Sequence, residues 1–401
     1  MKKVVWLSII FLGSALVQYS CTDTGKKEQT KNENISLDTL EIASSVLNEF
    51  VENKKLAGIS ALINIDGETV YRKNFGYAQL NQKTPLKDDA IFRIFSMSKP
   101  VTAVALMTLF DEGKFELDDK VAKYIPEFEG AMVYNAETKT LEPQKNEMTI
   151  RHLLTHTSGI TYGWDQNAYV DSLYRETGAS GWDGVLADKI KILAKLPLKY
   201  QPGTRWEYGL SIDVAGYLVE VLSGQPLDKF MKERIFDPLK MDDTGFYVPE
   251  EKHFRFTSLN TVENDTVKEM EGNMAGAFRS PVTLFSGGGG LVSTMDDYLS
   301  FCLMLLNGGE LNGARILKES TTEMVLTNQM PEGVFFAGTM GHGLAGSVNE
   351  ETSEYGWAGA ASTKFWLNPN KKSIIIFYTQ LMPSNYNYSD KFKEIAEKAI
   401  N

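Results

Sequence analysis

The sequence predicts an α+β fold, with an antiparallel sheet built from both chain ends, flanking helices and an inserted, mostly helical lobe. Three observations predict it. Strand patterns near the start, at 59–76, return near the end, at 364–378. A run that is apolar on every side, 96–112, is typical of a helix at the centre of a large domain. Helix and loop patterns fill about 115–285, which indicates a lobe inserted between the two halves of the sheet.

The individual elements follow from local patterns. Ile42, Val46 and Phe50 recur at helical spacing, and Asp66-Gly67 separates two strand patterns in the way typical of a tight hairpin. The predicted helices are 38–53, 96–112, 151–154, 212–222, 298–306 and 391–400, and the predicted strands are 59–65, 69–76, 364–367 and 373–378.

The amino-acid composition excludes several classes of function. The 401 residues include 41 Lys or Arg against 52 Asp or Glu, a net charge of −11, which argues against a nucleic-acid partner. Two cysteines, Cys21 and Cys302, cannot form a disulfide framework or a Cys-rich zinc site. His152 and His156 have the spacing of zinc ligands but lack the accompanying Glu of the metalloprotease pattern. We therefore expect one folded domain at 37–401 that needs no metal or cofactor.

The N-terminal segment is typical of an exported protein. Residues 1–20 combine two early lysines with an apolar stretch too short for a bilayer, which needs about 20 residues, and predict a signal peptide. Cys21 follows where a bacterial lipoprotein carries its lipid, although Gln18 replaces the usual aliphatic residue. The sequence thus predicts a lipoprotein on a membrane surface facing the periplasm or cell exterior, with a flexible tether at 21–36. Plain secretion with an incidental cysteine is the alternative.

The most informative motif stands at the head of the apolar helix. Ser96 and Lys99 are three residues apart and so share one face of a helical turn. A helix N-terminus and a neighbouring ammonium both stabilise a developing serine alkoxide. A lysine without a function would be costly on so apolar a helix. Ser-x-x-Lys is a signature of penicillin-recognising serine enzymes.

Two later segments provide partners for this pair. Tyr208 precedes the apolar helix at 212–222, and beside cations its phenol can relay a proton and act as a base for Ser96. The segment 355–361 (YGWAGAA) has the small residues of an edge strand against which a substrate lies close to the backbone. Its N–H groups are candidates for an oxyanion hole.

In this order and spacing, the three patterns resemble the serine β-lactamase/penicillin-binding superfamily, specifically its class C β-lactamase-like branch, from about residue 38 to the end. Further matches are 153–159, 202–204 and 287–291. The resemblance implies a β-lactamase/transpeptidase-like fold. It also implies that Ser96 is the acylated nucleophile, Lys99 its activating partner and Tyr208 the general base. The backbone N–H groups of Ser96 and Ala360 would form the oxyanion hole.

Two departures from the family pattern favour esters over β-lactams. Penicillin-recognising members place Asn two residues after the tyrosine, where this chain has Leu210, and begin the third motif with Lys or His, where it has Trp357. Neither residue can pair with a substrate carboxylate. Tyr-x-Leu with Trp-x-Gly is similar to the family VIII carboxylesterases, which implies small uncharged esters as substrates and Leu210, Trp357 and Gly359 as their contacts.

Other functions remain open. β-Lactamase or D-alanyl peptidase activity is the nearest alternative, with a β-lactam-like substrate in the same cleft. A penicillin-binding sensor that is acylated without turnover is the alternative outside catalysis, although nothing structural requires Ser96, Lys99 and Tyr208 together. An α/β-hydrolase is disfavoured, because the chain has no Gly-x-Ser-x-Gly.

Overall fold

The folded body begins close to where the sequence predicts it. The structure, a computed structural model, describes Met1, residues 35–338 and residues 340–400. The predicted signal peptide, Cys21 and most of the predicted tether lie outside these described residues. The last two tether positions belong to the body, since Ile35 bridges to Ile400 and the Ser36 side chain caps the first helix.

Both chain ends build one antiparallel sheet, as predicted. Its strands are β1 (Gly58–Ile65), β2 (Glu68–Gln79), β3 (Thr84–Pro85), β4 (Gly341–His342), β5 (Ser347–Asn349), β6 (Glu354–Gly359), β7 (Thr363–Asn368) and β8 (Ser373–Tyr378). The order across the sheet is β4-β5-β6-β7-β8-β1-β2-β3. The two chain ends meet where β1 pairs with β8, with Ile63 opposite Ile375.

The helices agree with the predicted pattern. Those of the described residues are α1 (Leu37–Glu52), α2 (Ser98–Asp111), α3 (Ile150–Leu154), α4 (Tyr169–Glu176), α5 (Leu186–Leu193), α6 (Ser211–Ser223), α7 (Leu227–Met231), α8 (Asp237–Leu239), α9 (Asn273–Gly276), α10 (Met295–Leu306), α11 (Glu319–Leu326) and α12 (Asn387–Ala399). Short 3₁₀ turns include Phe95–Met97, and a π-helical turn spans Lys232–Phe236. None of these helices is long and apolar enough to cross a membrane.

Each face of the sheet buries its own core. Alternate residues of a strand point to opposite faces. In β8, Ile375 and Phe377 pack with the terminal helices α1 and α12, whereas Ile374 and Ile376 join the larger core that contains α2 and α10. Helix α2 is buried on all sides from Ser98 to Leu109, as its uniform apolarity predicts.

The inserted lobe is mostly helical and includes α3 to α9. It also contains two hairpins that the sequence patterns did not predict, Met132–Asn135 with Thr140–Pro143 and Asn260–Glu263 with Thr266–Glu269. The chain enters and leaves this region side by side, because Phe92–Arg93 pairs with Val292–Ser293. Helix α6 packs on α2, so the lobe faces the segment that carries Ser96.

Candidate active site

The predicted nucleophile lies in a tight turn directly before the buried helix. Ser96 occupies the 3₁₀ turn Phe95–Met97, and Lys99 follows in the first turn of α2. The Lys99 Nζ atom lies 3.0 Å from Ser96 Oγ and also donates to the carbonyl oxygen of Gly288 at 2.6 Å. Lys99 is fully buried. Its ammonium is therefore fixed against the serine by a backbone acceptor instead of a carboxylate.

The glycine-rich segment at 287–291 holds that acceptor in place. The Gly288 N–H donates to Asp213 Oδ1 at 3.2 Å, and the same oxygen accepts from Ser286 Oγ at 2.6 Å. A Cβ at Gly288 would lie 2.4 Å from Asp213 Oδ2, closer than atoms can approach. Position 288 therefore requires glycine so that its backbone can run between Asp213 and Lys99.

Tyr208 completes the predicted cluster from a distant part of the chain. Its hydroxyl lies 2.8 Å from Ser96 Oγ, and its ring centroid lies 4.7 Å from Lys99 Nζ. Its ring lies nearly parallel to that of Trp206, with centroids 5.8 Å apart. The Trp357 indole donates its Nε1–H to the Tyr208 oxygen at 3.4 Å. The structure thus brings Ser96, Lys99 and Tyr208 together.

The residue before the serine has an unusual backbone that sequence reasoning missed. Phe95 has φ of +42°, a region that non-glycine residues enter at a cost of about 1–3 kcal/mol. The turn is held because Ser98 Oγ donates to the Phe95 carbonyl at 2.6 Å and accepts from the Leu291 N–H at 3.0 Å. The Phe95 ring packs edge-on against Phe278. Nothing in the residue pattern signals a phenylalanine in this conformation.

The third motif needs one correction, and the structure adds a packing role for Gly359. The strand β6 is not an edge strand, because β5 pairs with it as far as Gly356, and only its last three residues extend past β5. Gly359, an expected substrate contact, is buried and lines neither cavity at Ser96. A Cβ at Gly359 would lie 2.3 Å from the Ile94 carbonyl oxygen. The glycine therefore lets the strand approach the chain just before Ser96 and positions Ala360.

Two cavities meet at Ser96. The smaller, of about 180 Å³, is lined largely by apolar side chains and includes Leu210; the larger, of about 630 Å³, has an aromatic wall that includes Trp357. Ser96 and Ala360 line both cavities, as expected of two groups proposed to hold the reacting carbonyl. The two departures from the family pattern thus lie on different sides of the serine.

Two buried histidines pack behind Tyr208, one against its ring and the other against the first imidazole. The His156 ring centroid lies 5.0 Å from that of Tyr208 and 5.6 Å from that of His342. Burial holds the pKa of His156 well below its usual range and lowers the pKa of His342 to about 4. Burial likewise raises the pKa of the Tyr162 phenol, which Tyr208 and Asp213 raise further. The imidazoles of His156 and His342 are therefore uncharged at neutral pH.

The two histidines considered as zinc ligands have different surroundings. His152 accepts from the Thr149 N–H through Nδ1 and so completes the cap of α3, whereas the ring of His156 packs among aromatic side chains. Within the part of the chain that the structure describes, no group of three or more His, Cys, Asp or Glu side chains is placed to hold a metal ion.

This antiparallel sheet with its helical lobe, and a serine, a lysine and a tyrosine meeting between them, define the class of β-lactamase-fold serine hydrolases. The family model described as Beta-lactamase matches residues 43–400. The chain therefore belongs to the Beta-lactamase family.

Known relatives place esterases within this group. Esterase EstB of Burkholderia gladioli is 32% identical over 286 residues, covering 66% of this chain and 70% of its own. An uncharacterised Mycobacterium tuberculosis protein is 32% identical over 333 residues, covering 77% of this chain and 82% of its own. The solved structure of EstCE1, a hydrolase with promiscuous acyltransferase activity, superposes with a TM-score of 0.75 at 23% identity, covering 90% and 98% of the two chains. At this sequence identity, the similarity to EstCE1 shows a shared fold.

Proposed function

We propose that the protein is a carboxylesterase that cleaves small uncharged esters through an acyl-enzyme on Ser96. The carrying observation is that Leu210 and Trp357 line the two cavities on either side of Ser96. Neither offers the amide or cation that a β-lactam carboxylate needs, and apolar walls favour uncharged groups. The relationship to Esterase EstB supports the same substrate class.

The first half of the proposed reaction forms the acyl-enzyme. Ser96 Oγ attacks the ester carbonyl carbon while its proton passes to the oxygen of Tyr208, 2.8 Å away, which acts as the base in its phenolate form with the Lys99 ammonium stabilising the negative charge. The carbonyl electron pair moves onto the oxygen, which the N–H groups of Ser96 and Ala360 are proposed to bind. One such donor is typically worth about 3–4 kcal/mol. The intermediate then expels the alcohol, which takes the proton from Tyr208.

The second half of the proposed reaction hydrolyses the acyl-enzyme and restores the free hydroxyl of Ser96. A water molecule gives its proton to Tyr208 as its oxygen bonds to the acyl carbon. Collapse of this second intermediate breaks the bond to Ser96 Oγ, which recovers the proton, and the acid leaves. The reaction written this way needs only groups that the chain itself supplies.

A substrate panel tests this proposal. We expect the purified protein to hydrolyse p-nitrophenyl acetate and butyrate with steady turnover, and more efficiently than nitrocefin or a D-alanyl-D-alanine peptide, as judged by kcat/KM. Ser96→Ala should abolish turnover, whereas the control Ser45→Ala, which alters an exposed serine on α1, should leave turnover at the wild-type level. Higher kcat/KM for nitrocefin or the peptide would contradict the ester assignment. A burst that releases one equivalent of product per chain, without further turnover, would favour a penicillin-binding sensor that is acylated and not regenerated.

We also propose that the protein is exported and anchored by a lipid on Cys21, which would place the hydrolase at a membrane surface in the periplasm or at the cell exterior. The support is the sequence of residues 1–21 alone. Expression in a bacterial host with an alkyne-labelled fatty acid tests it. Labelling should require Cys21 and persist after Cys302→Ser, which alters a buried thiol. Labelling that survives Cys21→Ser would contradict the proposal.

A further inference from the structure

The smaller cavity beside Ser96 contains three polar groups that the protein leaves unpaired. The Lys189 Nζ atom is buried and has no hydrogen-bond partner among the described residues. Asp213 uses Oδ1 to accept from Ser286 and Gly288, while its Oδ2 accepts no hydrogen bond from any described side chain or backbone group. The Tyr162 hydroxyl also lacks a partner within the described chain and, like Asp213 Oδ2, borders Gly288. All three residues line this cavity.

The ammonium of Lys189 and the carboxylate of Asp213 line the same small cavity but do not pair. Lys189 forms no ion pair with a carboxylate within 4.0 Å in the described residues. Burial lowers the pKa of Lys189, and the nearby carboxylates of Asp213 and Asp183 oppose that shift. A buried polar group without a partner is costly. The cavity between Lys189 and Asp213 therefore favours a bound group that forms hydrogen bonds with both.

The chemistry of the two groups favours an occupant that both accepts and donates a hydrogen bond. Lys189 can only donate, and ionised Asp213 can only accept. A hydroxyl satisfies both at once, because it accepts from the ammonium and donates to the carboxylate. A carboxylate would be repelled by Asp213, an amine would be repelled by Lys189, and an alkyl group would leave both unpaired.

We propose that this cavity binds the acyl half of the substrate and that the acyl group carries a hydroxyl held between Lys189 and Asp213. The preferred substrates are then esters of short hydroxy acids. The volume of about 180 Å³ fits such a group, since a cavity of roughly 150 Å³ holds a benzene ring. This inference rests on the proposed ester hydrolysis at Ser96 and adds its acyl specificity.

Matched ester pairs test the inference. Lactate and isobutyrate differ only by a hydroxyl in place of a methyl group at the second carbon, and 3-hydroxybutyrate and isovalerate differ in the same way at the third. With p-nitrophenyl esters of all four acids, we expect at least about tenfold higher kcat/KM for the hydroxy ester in one pair or both. Equal values, or a preference for the alkyl ester in both pairs, would overturn the inference.

Variants on one helix identify the residue responsible. Lys189→Met should remove the hydroxyl preference, and a cooperative urea unfolding transition like that of the wild type shows that the variant is folded. The matched control is Lys191→Met, two positions along α5, where the side chain is exposed and the preference should persist. A preference that survives Lys189→Met would overturn the role of Lys189. Failure of the wild-type protein to cleave any of the four esters would instead contradict the proposed function.

Discussion

The indole nitrogen of Trp357 lies 3.4 Å from the hydroxyl oxygen of Tyr208, which itself lies 2.8 Å from Ser96 Oγ. Trp357 occupies the position where penicillin-recognising relatives carry a cation. Its N–H gives the Tyr208 oxygen a neutral donor. Such a donor stabilises a phenolate more than a phenol, because hydrogen bonds to charged groups are the stronger ones.

Trp357→Phe should therefore slow the chemical step. The variant keeps an aromatic wall and loses only the N–H. Because a hydrogen bond of this kind contributes about 0.5–1.5 kcal/mol, we expect kcat to fall roughly two- to tenfold with KM changed less than twofold. Steady-state kinetics on p-nitrophenyl butyrate measures both constants.

Trp206→Phe is the matched control for that experiment. Trp206 lies parallel to the Tyr208 ring, but its Nε1 has no hydrogen-bond partner among the described residues. Its replacement removes no donor from Tyr208, so kcat should change less than in Trp357→Phe. An equal fall in kcat for both variants would show that aromatic packing, and not the N–H, supports the tyrosine.

Gly359→Ala should disturb the serine from a distance. The added methyl group would lie 2.3 Å from the Ile94 carbonyl oxygen, so β6 must move away from the turn that carries Ser96. We expect a loss of about 1–3 kcal/mol in the free energy of unfolding and a fall in kcat, because Ala360 moves with the strand. Urea unfolding and esterase kinetics measure the two effects.

Gly276→Ala controls for loss of a glycine as such. No atom lies within 4 Å of the position that its Cβ would take, and its φ lies outside the left-handed region. Stability and kcat should stay close to the wild-type values. Wild-type kcat in Gly359→Ala would contradict the positioning role of the close contact with Ile94.

Stability should fall as the solution becomes acidic, partly through His342. The unfolded chain protonates this imidazole near pH 6.5, whereas burial delays protonation in the folded state to about pH 4. The unfolded state therefore binds more protons between these values, and folding is disfavoured as pH falls through them. At pH 5, this difference in protonation of His342 lowers the free energy of unfolding by about 2 kcal/mol. Asp297 acts in the opposite direction, because burial raises its pKa to about 6.

A difference measurement isolates the histidine from Asp297. Urea unfolding of the wild type and of His342→Gln at pH 7.5 and pH 5 gives two losses of stability. We expect the loss in the variant to be smaller by about 2 kcal/mol, since the variant keeps Asp297 and lacks the imidazole. Equal losses in the two proteins would show that His342 does not carry this part of the pH dependence.

Elements with strong periodic or turn signals were predictable from the sequence. The Asp66-Gly67 turn and the apolar helix α2 both depend on neighbours within a few residues, and each is confirmed. The clustering of Ser96 with Tyr208 depends on contacts across more than one hundred residues. Its prediction came from the resemblance to a family, because no local pattern specifies such a contact.

The remaining features of the site had no local signal. The left-handed backbone of Phe95 is imposed by hydrogen bonds from elsewhere in the fold. Lys189 resembles any lysine on an amphipathic helix, and only the packing of α5 against α6 buries its ammonium in the cavity that Asp213 also lines. The substrate contact expected of Gly359 stays a prediction, and the approach of the Ile94 backbone to this glycine had no signal in the residue pattern.

Mapping the covalent adduct tests the central claim most directly. The purified protein is treated with a fluorophosphonate that reacts with activated serines, digested, and its modified peptide sequenced by mass spectrometry. We expect one adduct per chain, on Ser96, with labelling lost in Ser96→Ala and strongly slowed in Tyr208→Phe. An adduct on another serine, or labelling of Ser96→Ala at the wild-type rate, would contradict Ser96 as the nucleophile.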